Sequence, residues 1–150
     1  MRPMSKGLLA GAVGTVALDL AGYGDMLLRG RSPSDLPAQV AGGLADRAGV
    51  GLGEGEKRSG RAGAIGAMLG YLNGLGLGCA YGLWRHRGGS PPLWTAGSLL
   101  ALAAMAGSDL PATALRLTAP ASWPPMAWVS DLVPHLAYGV TTAAVFEALG

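Results

Sequence analysis

The stretch AGAIGAMLGYLNGLGLGCAYGLW (62–84) decides the fold. It runs for 23 residues without a charge, and a helix needs ~20 apolar residues to cross the hydrocarbon core of a bilayer. Within it Gly66, Gly70, Gly74, Gly78 and Gly82 recur every four residues. On a helix this spacing gathers them on one side, as an extended GxxxG pattern. Lipid tails are as apolar as the helices, so association there rests on close backbone approach and dispersion, and glycine removes the side chain that would prevent that approach. The stretch therefore predicts a transmembrane helix at the centre of a bundle, its glycine face packing inside that bundle or at a homodimer seam. Lining a pore or a substrate groove is the functional alternative for the same face.

Working outward, GGSPPLWTAGSLLALAAMAGS (88–108) is a second charge-free run, of 21 residues. Gly7 to Leu28 and Met126 to Phe146 are about as long and apolar, but Asp19 and Asp25 interrupt the first and Asp131 the second. Half of the 150 residues are hydrophobic, 13% are charged, and the mean hydropathy is +0.35. The expected fold is all-α, a polytopic membrane bundle of about four transmembrane helices in one domain covering 1–150. Its spans are placed at approximately 7–28, 62–84, 91–109 and 126–148, with an extramembrane loop over 29–61. A soluble all-α domain is disfavoured, because the four segments lack the polar stripe of period 3.6 that a surface helix presents to water. A cleaved secretory signal fits the N-terminus less well than a retained span, since Asp19 breaks the apolar run and no clear small-residue cleavage site follows.

The loop 29–61 holds ten of the twenty charged residues and closes in the Gly-rich stretch GLGEGEKRSG (51–60). Inside it Leu36, Val40 and Leu44 recur every four residues after Ser34, a suitable cap, which predicts a short helix on the membrane surface. Trp84 and Trp94, with Arg85 and Arg87 between them, label one membrane face, and Trp123 and Trp128 label the other, since indole prefers the headgroup layer. Both termini share the first face. Four basic residues on that face against seven on the long-loop face (Arg29, Arg31, Arg47, Lys57, Arg58, Arg61 and Arg116) lean towards a cytoplasmic long loop.

The polar residues inside the spans are the candidate site. Asp19 falls close to the centre of the first span, where insertion costs ~2.5–3.5 kcal/mol and each Leu or Val returns only ~0.3–0.6. The carboxyl is expected to face protein, protonated or paired. Asp131, His135, Tyr138 and Thr142 share one stripe of the fourth span, and Pro134 within it leaves the Ser130 carbonyl without its helical donor. With Asn73 near the middle of the second span, the candidate buried cluster is Asp19, Asn73, Asp131, His135 and Tyr138. Asp19 and His135 are expected to meet near the midplane, His135 being the basic group at that depth. Asp25 and Asp109 lie nearer the long-loop face and read as interfacial or helix-terminal residues, and His86, between arginines, as solvated.

Motifs for enzyme chemistry are missing, and the reading leans away from an enzyme. One His with several Asp does not make the three or four His/Cys ligands of a zinc site. Ser108 and Ser130 lie outside any GxSxG context, and no phosphate loop or dinucleotide fingerprint appears. The single cysteine, Cys79, has no partner for a disulfide or a CxxC motif. No cofactor or metal is called for, and no basic-aromatic platform points to nucleic acid.

The segments YGDMLLRGRSPSDLP (23–37), AMAGSDLP (104–111) and WVSDLVPHLAYG (128–139) resemble a group of uncharacterised integral membrane proteins of high-GC actinobacteria. The resemblance implies a membrane location and four helices, and carries over no catalytic role. The expectation is a multi-pass protein of the cell membrane whose partner is the lipid bilayer, a non-enzymatic bundle that packs or partners there, with a homo-oligomer through the second span open to it. The alternative is a proton- or cation-linked transport component using the buried Asp and His residues.

Overall fold

The computed structural model describes residues 2–150. Five α-helices follow one another: α1 (Pro3–Arg29), α2 (Leu36–Arg47), α3 (Gly55–His86), α4 (Leu93–Ala114) and α5 (Pro125–Ala148), with one 3-10 turn at Pro120–Ser122. No strand occurs among the described residues. Local chemistry sets several of these ends. Pro3 opens α1 and Pro125 opens α5 at positions where a missing N–H costs nothing. α1 stops at Gly30, whose φ of 62° is left-handed, and the Arg31 N–H closes the end on the Met26 carbonyl at 3.2 Å. The Ser34 hydroxyl accepts the Leu36 N–H at 3.2 Å and so introduces α2.

Three helices, α1, α3 and α4, are long and apolar enough to cross a membrane. α5 matches them in length and carries Asp131, His135, Thr141, Thr142 and Glu147. α3 differs from its expected span, since it begins at Gly55 rather than near residue 62. The stretch 55–60, expected in the loop, continues the helix, because Glu54 to Arg61 offers good helix formers once Gly53 and Gly55 have made the turn with positive φ. At 32 residues α3 is about 48 Å long, more than the hydrocarbon layer needs.

The four long helices run antiparallel in sequence. α1 lies between α3 and α5, α5 lies between α1 and α4, and α3 meets α4 more loosely, so the ring closes. The expectation that the second span forms the centre is thereby corrected, since α1 and α5 each have two broad neighbours in the bundle. α3 gives its second face to α2, which folds back on it, the Pro37 carbonyl resting on Gly66 and Gly43 lying beside Leu115. Val40 of α2 is buried, and Leu44 is exposed.

The α1–α3 seam is backbone on backbone. A Cβ on Gly7 would strike the Gly78 carbonyl, one on Gly11 would come 2.7 Å from the Gly74 carbonyl oxygen, and one on Gly82 would strike the Pro3 carbonyl. Gly74, Gly78 and Gly82 thus face α1, whereas Gly66 faces α2 and Gly70 has no neighbour within 4 Å. Gly97 and Gly139 make the same kind of contact between α4 and α5. The interior behind these seams is built of Ala10, Ala96, Leu100, Ala104 and Ala143, closed by Tyr81, Tyr138 and Phe146.

Gly78→Leu should lower unfolding stability in bicelles by ~1–3 kcal/mol through overpacking, and Gly76→Leu, with no neighbour within 4 Å, should leave it within ~0.5 kcal/mol. Equal losses at both positions would contradict the seam.

Candidate functional site

At mid-depth two side chains tie the bundle together through main-chain carbonyls. Tyr138, fully buried on α5, donates its hydroxyl proton to the Gly74 carbonyl of α3 at 2.7 Å, across the centre. Asn73 donates from Nδ2 to the Ala104 carbonyl of α4 at 3.0 Å, and Gly107 lies so close that any side chain there would collide with the amide. The Thr15 hydroxyl, in the same layer, donates back to the Gly11 carbonyl at 2.9 Å. Tyr138 and Asn73 therefore spend their donors on packing. Thr142 is fully buried against Gly14, and its hydroxyl oxygen has no hydrogen-bond partner.

Towards the long-loop end the acidic residues gather. His135 Nδ1 lies 2.7 Å from the Asp131 carbonyl and 3.4 Å from Asp131 Oδ1. A carbonyl only accepts, so this nitrogen carries a proton. The two side chains are 12% and 23% exposed. Asp131 Oδ2 is buried without a hydrogen-bond partner, and the Asp109 carboxyl of α4 is its neighbour.

Beside this pair, Arg29 grips Asp25 with two bonds of 2.6 Å, and Arg31 adds a third at 2.6 Å. Arg29 also donates to the Ser130 hydroxyl of α5, and Ser130 donates to the Met126 carbonyl at 2.8 Å. Arg29 thus joins α1 to α5 at the residue before Asp131. At the opposite end Arg85 pairs with Glu147 and donates to the Tyr81 hydroxyl at 2.9 Å. The hydrogen bond to Glu147 raises the Arg85 pKa above its usual value, with Tyr81 adding to it. Lys6 sits 4.2 Å from the Phe146 ring centre. Trp123 and Trp128 stack at a tilt 5.1 Å apart, and Trp123 donates to the Thr118 hydroxyl at 2.7 Å.

Of the sequence-derived cluster, Asn73 and Tyr138 share a layer, and Asp131 and His135 meet each other. Asp19 stands apart. Its one hydrogen bond comes from the Tyr71 hydroxyl at 3.4 Å, on the α1–α3 edge, and no bond or ion pair joins it to His135. The expected Asp19–His135 contact is therefore replaced by Asp19–Tyr71 and Asp109–Asp131–His135, because α1 presents Gly14 and Thr15, and not Asp19, to the bundle interior.

Asp109 is the residue that sequence reading undervalued. Its signal lay in hairpin register, since Asp109 sits five residues before the end of α4 and Asp131 six after the start of α5, which brings them level across the turn. Ser108 and Ser130 both bond main-chain carbonyls of their own helices, so neither approaches His135 as a nucleophile would. Among the described residues no group of three or more His, Cys, Asp or Glu is disposed to hold a metal ion, and His86 is exposed. No protein-family model, no curated protein and no solved structure matches the chain.

Tyr138→Phe should reduce unfolding stability by ~0.5–1.5 kcal/mol, leaving the Gly74 carbonyl with its helical donor alone. A thermal or denaturant midpoint equal to that of the parent protein would show that the bond adds nothing.

Proposed function

We propose that the chain is a four-span integral membrane protein of the cell membrane, with α5 as its fourth span, and that it acts as a non-enzymatic bundle packing in the lipid bilayer. One observation carries this reading: the polar residues of α5 turn inward while its large outward side chains are apolar. Tyr138 and Thr142 are fully buried and His135 nearly so, whereas Met126, Val129, Leu132 and Val133 are exposed. α5 thus loses hydropathy to residues that lipid never meets. At 24 residues it is about 36 Å long, enough to cross.

A fourth crossing returns the C-terminal end of α5 to the side of Ser5. In a Cys79→Ser background, Ser5→Cys and Ala148→Cys should react with an impermeant maleimide from one side of sealed vesicles, and Lys57→Cys and Arg116→Cys from the other. Labelling of Ala148→Cys together with Lys57→Cys would reduce the protein to three spans.

The second reading, proton-linked transport, is favoured by the Asp109–Asp131–His135 group. It combines two neighbouring carboxyls, one with a buried oxygen that has no partner, and an imidazole beside them. Proteoliposomes under an imposed pH gradient and carrying an internal pH dye should then take up protons faster than empty vesicles, and Asp109→Asn/Asp131→Asn should bring the rate back to that of empty vesicles. A parent protein no faster than empty vesicles would leave the packing role alone.

A further inference from the structure

Asp19 has no use in either reading, and its surroundings are unlike those of any other carboxyl in the chain. The α1–α3 seam closes through Gly7, Gly11 and Thr15 against Gly82, Gly78 and Gly74, and one turn further Tyr71 reaches Asp19 at 3.4 Å. Past that level the two helices part. Gly22 on α1 and Gly70 on α3 have no atom within 4 Å of where a side chain would begin. Tyr71 is 51% and Tyr23 62% exposed, and Leu20 and Leu72 beside them are 67% and 64% exposed. A carboxyl offers two oxygens to hydrogen bonds, and here, one turn from the mid-depth layer of Thr15, Gly74 and Tyr138, it receives a single long one. Elsewhere Asp25 takes three bonds from two arginines, and Asp131 has His135 and Asp109 beside it.

We propose that this edge is the interface of a homodimer, with a second copy laying its own α1–α3 edge over Asp19. The proposal rests on the four-span reading, which places Asp19 in the hydrocarbon layer. There an acyl chain brings no donor, so lipid contact leaves the carboxyl as it stands. A second copy brings the Tyr23 hydroxyl, whose proton is unspent, for each carboxyl it covers, beside the Tyr71 hydroxyl already there. About a two-fold axis the exchange is reciprocal, so one contact satisfies both copies. Gly22 and Gly70 supply what such an approach needs in lipid, bare backbone at the same level as the polar pair. The occupant is a second copy and no foreign helix, because the edge carries its own donors as well as its acceptor and is complementary to itself.

The test uses the full chain in phosphatidylcholine vesicles over a range of lipid dilutions, with subunits counted by single-molecule photobleaching. Two-step bleaching is expected for the parent protein at low dilution. Asp19→Leu, which eases insertion of α1 and so keeps the protein in the membrane, should weaken dimerisation at least tenfold, whereas Asp19→Asn, which keeps a hydrogen-bonding group, should weaken it less. With Cys79→Ser, oxidation should cross-link Gly70→Cys into dimers and leave Leu99→Cys, on the outer side of α4, monomeric. Single-step bleaching at every dilution, a dimer indifferent to Asp19→Leu, or cross-linking through Leu99→Cys instead of Gly70→Cys would each overturn the proposal. If the two-sided maleimide pattern holds in the same samples, that failure belongs to the interface and not to the four-span reading.

Discussion

The distance between the backbones of α1 and α3 governs this molecule. Where glycines from both helices meet, no side chain intervenes, and the carbonyls of one helix lie against the Cα atoms of the other. That closeness brings the Gly74 carbonyl within reach of Tyr138 from the far side of the bundle. A tyrosine side chain has a fixed length, so a seam widened by a methyl group on each helix would part the hydroxyl from its acceptor. The interior is accordingly built of alanine with a few aromatic residues, since little space remains once the main chains have closed up.

The same seam sorts the polar residues by depth and direction. Tyr138 of α5 points into the space it encloses and finds its partner on α3. Asp19, on its outer edge, finds only Tyr71. The arginines collect at both ends: Arg29 and Arg31 hold Asp25 by the long loop, Arg85 holds Glu147 by the termini, and both clusters tie one helix to another at headgroup level. The long-loop end is held outside the bundle as well, where Arg58 pairs with Asp46 and Arg61 reaches the Leu52 carbonyl.

Much of this was legible in the sequence, for reasons that also explain what was not. Uninterrupted apolar runs gave the helices of residues 62–84 and 88–108, because apolarity is a property of the run itself. The start of α3 at Gly55 was hidden, since a helix leaving the membrane looks like any charged, Gly-rich loop. Five glycines at four-residue spacing marked one face, yet a straight face of α3 meets α1 only over part of its length. Gly66 serves α2 and Gly70 serves neither. The polar stripe of α5 was visible from its spacing, while its partners were not. Depth alone suggested Asp19 for His135, and rotation about the α1 axis, set by Gly14 and Thr15, sent Asp19 elsewhere.

The place of the α1–α3 seam in the chain has a consequence for how the protein is made. α1 is synthesised first, with Asp19 and Asp25 in it, and the glycine face it packs against ends about sixty residues later in the chain. At ribosomal speeds of ~5–20 residues per second, that face completes its emergence roughly 3–12 seconds after α1. During this interval the first helix has no seam to enter. Leu8, Leu9, Val13, Val16 and Leu20 stay exposed even in the finished bundle, and the order of synthesis makes the arrival of α3 the step that covers the glycine face of α1.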